Sequence, residues 1–154
     1  MEGILAAVEA SAFGATMRRS VWLFPAANVL HVVGAMVFFA LVAAMDVAVL
    51  RHSATGARGV IASIRPYAVA GLLVQIVTGL MLLVPEASHI GMNPAFRIKL
   101  LAIGLALLNV AVLEGILHAA ARDLTLLRLA RFAAAASLAV WLAVAALGRL
   151  IAYF

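Results

Sequence analysis

Four ionisable residues, His31, Asp46, Glu114 and His118, sit in stretches that would be cheaper to bury without them. A neutral imidazole can ligate haem iron or hydrogen-bond a carbonyl, and a carboxyl group in apolar surroundings can take up and release a proton. At 100° per residue, His31, Gly34, Phe38, Val42, Met45, Asp46, Val49 and His52 fall within about 60° of one line, so both histidines and the acid share one helix face. Glu114 and His118 are one turn apart and share a face of another helix. Counting about 1.5 Å per residue, His31 lies about 9 Å inside a helix that starts at Pro25, whereas Glu114 and His118 lie near the far end of theirs. His31 and His118 are therefore not an obvious pair of axial haem ligands.

Depth sorts the polar residues into two clusters. Asp46, His52, Glu114 and His118 gather at one end with Arg51 and Arg122 close by; His31 gathers at the other with His89, if its loop folds inward, and with Met81 and Met92 as soft ligands. The candidate cofactor ligands are His31, His118 and His89, for haem b or, at His31, a quinone carbonyl; Gly34, one turn below, leaves room for a flat ring. No metal ligand set and no catalytic residue is assigned. Each residue also has a plainer role. His31 can donate to a carbonyl or to the next helix, Asp46 can pair with Arg51, and Met36 and Met45 can simply pack. His52 and His89 read as surface residues. Glu114, two turns inside an apolar stretch, must be protonated, paired or solvated by a cavity.

The elements that would position these groups follow from hydrophobicity. The chain has 154 residues, 68% hydrophobic and 11% charged, far from the soluble norm of about half apolar and a quarter charged. The fold class is all-α: an integral membrane four-helix bundle forming one domain over residues 1–154, with spans at about 25–50, 67–84, 94–121 and 132–153. Residues 3–17 are too short to span and read as an interfacial amphipathic helix, with Ile4, Leu5, Val8, Ala12 and Phe13 toward lipid or the bundle. Trp22 and Phe24 form an aromatic belt before Pro25. Ser53 to Arg65, with Gly56 and Gly59, reads as a loop ending at Pro66. Gln75 should bond across helices, Asn93-Pro94 should open the third long helix, and Asp123 should cap a short amphipathic link up to Arg131. Ala135, Ala139 and Ala143 form a strip that lets another helix approach and is compatible with an oligomer.

Composition also excludes. With no cysteine, thiolate metal sites, iron–sulfur clusters and disulfides are ruled out. The net charge of +5 is spread over helix ends, as headgroup anchors are, and does not form a nucleic-acid patch. No phosphate loop, dinucleotide fingerprint or nucleophile–histidine–acid set is present. Six basic residues on the side of the 51–65 and 122–131 segments against five on the side of the termini assign the termini to the periplasm of a bacterial inner membrane.

At Phe24-Pro25, Asn28, His31, Gly34 and Asp46, then Asn93-Pro94-Ala95-Phe96-Arg97-Ile98-Lys99 and Asn109, the chain resembles a family of uncharacterised four-helix bacterial inner-membrane proteins, over roughly residues 20–120. More distantly it is similar to small b-type cytochromes and copper-resistance D-type membrane proteins. The resemblance implies a four-helix fold and a redox or metal role. It also implies a histidine about five residues after Asn109, where this chain has Glu114 with His118 a turn later. The expected function is a membrane electron-transfer subunit using His31 for haem b or quinone, with Asp46 and Glu114 as proton-handling or structural acids. Two alternatives are a proton- or metal-ion-handling transport subunit and a non-catalytic anchor of a larger complex. The expected partners are the lipid bilayer, quinone and redox or complex subunits.

Overall fold

A computed structural model describes residues 2–120 and 123–153; Ala121, at the expected end of the third span, and Arg122 lie outside them. The helices are α1 (Glu2–Glu9), α2 (Ala12–Arg19), α3 (Leu23–Arg51), α4 (Ala54–Leu83), α5 (Ala87–Met92), α6 (Pro94–Ala119) and α7 (Leu124–Leu150), with single 3-10 turns at Val84–Glu86 and Ile151–Tyr153. The fold is all-α, with no strand among the described residues. Four helices, α3, α4, α6 and α7, are long and apolar enough to cross a membrane.

Two of these are longer than their sequence suggests. Residues 54–65 are helix, not loop, and Pro66 lies inside α4. The Ser53 hydroxyl caps the start by accepting from Gly56 N–H at 3.3 Å. Ala54 and Ala57 are then buried against Val49, Leu117 and Ala130, so packing overrides the helix-breaking tendency of two glycines and a proline. From Leu124 on, the expected 122–131 link is likewise the first part of α7. Asp123 Oδ1 accepts from Thr125 N–H at 2.7 Å and Leu126 N–H at 3.3 Å, and Ala130 and Ala134 are fully buried. Asn93 caps α6 as expected, accepting from Ala95 N–H at 2.9 Å.

The expected helix over 3–17 is two. It breaks at Ala10-Ser11, where Ser11 Oγ accepts from Gly14 N–H at 3.1 Å. A Cβ on Gly14 would stand 2.5 Å from the Glu9 carbonyl oxygen, so this turn requires glycine. The hairpin docks on the corner between α4 and α5. Arg18 donates to the carbonyls of Glu9 at 3.0 Å and Pro85 at 2.9 Å, Met17 is fully buried, and Ile4 and Phe13 face outward. The Glu9 carboxylate accepts from Ser88 N–H at 2.9 Å, and this bond holds its pKa below the ordinary carboxylate value of 4.5. A carboxylate depressed by folding contributes stability that is full above its unfolded pKa and is lost as pH falls through the folded one. Protection of the Ser88 amide against hydrogen exchange is therefore expected to be lost as pH falls below the ordinary carboxylate value, and Glu9→Gln to remove that pH dependence.

In the bundle α3 packs on α4, α6 on α7, and α3 on α7, while α4 and α6 touch only sparingly. The order around the bundle is α4–α3–α7–α6, open between its first and last members. The inward face expected of α3 is observed: Phe38, Val42, Asp46 and Val49 are buried. Ala135, Ala139 and Ala143 point outward, and the alanines of α7 that are buried with Leu113 and Leu117 of α6 are Ala130 and Ala134.

Candidate functional site

His31 is part of a clasp between α3 and α4. Its Nδ1 lies 2.8 Å from Thr78 Oγ1, and Thr78 is buried. The Thr78 hydroxyl gives its single proton to the Val74 carbonyl at 2.6 Å, so it accepts from His31; the network assigns the proton to Nδ1 and leaves the lone pair on Nε2. Gln75, as expected, bonds across the helices, donating to the His31 carbonyl at 3.0 Å. A Cβ on Gly34 would stand 2.6 Å from Gln75 Nε2, and one on Gly79 3.3 Å from His31 Cε1. The space beside Gly34, expected to admit a flat ring, is taken by the Gln75 carboxamide.

The other candidate haem ligands lie elsewhere. Lys99 of α6 is within electrostatic reach of His31, and His118 is nineteen residues further along that helix, about 28 Å at 1.5 Å per residue. His89 is exposed on α5. Met92, expected as a soft ligand, accepts from Arg97 at 2.9 Å through its sulfur. Among the described residues no group of three His, Asp or Glu side chains could hold a metal ion. His31 thus keeps Nε2 free while Thr78 holds Nδ1, and the flank beside Gly34 is filled by Gln75.

The polar residues that do converge lie around the gap between α4 and α6. A cavity of about 670 Å³ opens there. One wall is α4, with Arg58, Arg65 and Leu72, and the other is α6, with Leu107, Glu114 and His118. The floor is Phe38, Val42 and Asp46 of α3 and Trp141 of α7. Thus three of the four residues singled out by type share one cavity and His31 is apart from it.

One polar strut crosses the gap. Arg65 Nη2 meets Glu114 Oε1 at 2.6 Å, and His118 Nε2 lies 3.7 Å from the same oxygen. Their side chains remain 48%, 38% and 57% exposed, so this end of the cavity is open to the exterior. Glu114 is thereby paired, one of the three states its position allows. Asp46 is different. It is 3% exposed, forms no ion pair with Arg51, and its Oδ2 has no hydrogen-bond partner among the described residues. Ser137 faces the carboxyl group without closing a hydrogen bond to it, and its own Oγ is unpartnered. Trp141 Nε1 and Asn109 Oδ1 are also buried and unpartnered. Phe38 and Trp141 meet edge to face with ring centroids 4.9 Å apart.

Arg58, Arg65, Ser137 and Trp141 were not among the site residues expected from sequence. Arg65 lay in an expected loop. Trp141 carried a usable signal, because tryptophan belongs at the ends of membrane helices and here stands near the middle of α7. Compared with protein-family models, curated proteins and solved structures, the chain matches none, so what the cleft does has to follow from its own chemistry.

Proposed function

We propose that the chain is an integral membrane subunit that binds a lipid-soluble, hydrogen-bonding small molecule in the α4–α6 cleft, with Asp46 as its hydrogen-bond partner. Support for the bilayer comes from the outward faces of the long helices, where Val29, Leu30, Leu73, Leu101, Leu105 and Leu142 are exposed. The observation that carries the function is a largely apolar cavity, open sideways between two helices, with a buried and unpartnered acid on its floor. A lateral opening admits ligands from the membrane, and about 670 Å³ lies within the roughly 300–1,000 Å³ of small-molecule sites. The carboxyl group can donate as the acid or accept as the anion, and the ligand supplies the partner that the fold withholds.

Of the electron-transfer role expected from sequence, only the binding of a lipid-soluble carrier is proposed, with Asp46 in the place expected of His31. Purified in mild detergent, the protein should retain a solvent-extractable lipid-soluble molecule in stoichiometric amount, detected by mass spectrometry, and Asp46→Leu should not. Equal recovery from both, or none from the wild type, would refute the reading.

A second reading, proton handling without a bound carrier, is favoured by one observation: half-exposed Glu114 and His118 line the same cavity as Asp46. Acid and imidazole could then pass protons from the exterior to the cavity floor. It predicts proton flux in liposomes, read with a pH-sensitive dye, that Glu114→Gln abolishes; unchanged flux would exclude it.

A further inference from the structure

Resting on the cleft reading, we infer that the ligand is a flat ring bearing carbonyl acceptors, a quinone, and that Trp141 is its recognition residue. Two unpartnered polar groups line the cavity, and they differ in what they can offer. Trp141 Nε1–H can only donate, whereas Asp46 can donate as the acid. Both residues are more than nine-tenths buried, at 6% and 3% exposure, and both belong to the cavity lining. A ligand that satisfies both at once presents acceptors to each. A quinone has two carbonyl oxygens and no donor of its own, which matches a fixed indole N–H and a carboxylic acid.

Shape points the same way. The Phe38–Trp141 edge-to-face pair gives the floor two aromatic surfaces in one corner, against which a flat ring packs by offset or edge contacts. Val42, Leu72 and Leu107 supply the apolar sides, and the opening between α4 and α6 lets a hydrocarbon tail run out into lipid. A lipophilic amine would use the Asp46 carboxylate and leave the indole N–H unmet.

The competing ligands are separable because they ask different things of the two residues. The assay uses the full chain in lipid nanodiscs carrying Trp22→Phe, which makes Trp141 the sole tryptophan. A short-tailed benzoquinone should quench Trp141 fluorescence saturably. Trp141→Phe keeps an aromatic ring beside Phe38 and removes only the donor; calorimetry should then show affinity reduced about tenfold, the effect of one hydrogen bond in a dry site. Asp46→Asn keeps a donor and should retain binding, whereas an amine would be lost with the charge. Circular dichroism melts confirm that each variant is folded.

Undiminished affinity in folded Trp141→Phe overturns the recognition role. Saturable binding of a fatty amine or fatty acid, with none of the benzoquinone, overturns the quinone assignment and leaves the cleft reading standing. If nothing binds and no molecule co-purifies, both readings fall.

Discussion

Asp46→Leu is expected to make the protein more stable and functionless at the site. Asp46 is 3% exposed, its Oδ2 is unpartnered, and no cation pairs with it among the described residues. Burying such a group without a partner costs about 1–3 kcal/mol, and an apolar replacement recovers that cost because the cavity leaves room for the larger side chain. A structural ion pair behaves in the opposite way, since removing one partner strands the other charge. The melting temperature in detergent should therefore rise, while the co-purifying molecule and saturable ligand binding disappear together. A fall in melting temperature with binding intact would show that Asp46 holds the fold and does not meet a ligand.

The same residue shows how far the sequence could be read. Periodicity placed Asp46 on the inward face of α3, because a 100° repeat is a property of one helix and needs no partner. The caps at Asn93 and Asp123 were legible for a similar reason: a side-chain acceptor and its N–H lie two or three residues apart. What meets Asp46 was not legible. Arg65 was placed in a loop by the glycines and Pro66, and its pairing with Glu114 depends on α4 continuing as helix past them, which the burial of Ala54 and Ala57 secures. Ser137 and Trp141 share the inward face of α7, but the alanine repeat on its outward face was the louder pattern. His31 was the residue most expected to hold a cofactor, and the contacts that position it were not legible. Thr78 and Gln75 are ordinary residues, and only their place one helix away turns the histidine into a clasp.

Two neighbouring substitutions on α6 should separate packing from access. Ala106 is fully buried, in a cluster with Phe38, Val42, Trp141 and Val144. Ala106→Leu inserts three carbons where there is no space, and overpacking of this kind costs about 1–3 kcal/mol. Trp141 lines the cavity from the same cluster, so its displacement should also shift its fluorescence and weaken binding of the short-tailed benzoquinone. Leu107 is the next residue, but it is 43% exposed and faces the cleft. Leu107→Ala removes partly buried carbons and should lower stability by about 1 kcal/mol or less, widening the cleft without moving Trp141. Melting curves and binding isotherms of the two variants check the pair. If Ala106→Leu lowers stability and leaves binding unchanged, the ligand does not sit against Trp141. If Leu107→Ala is the more damaging to both, the α6 wall is part of the core, and the gap between α4 and α6 is not where a ligand enters.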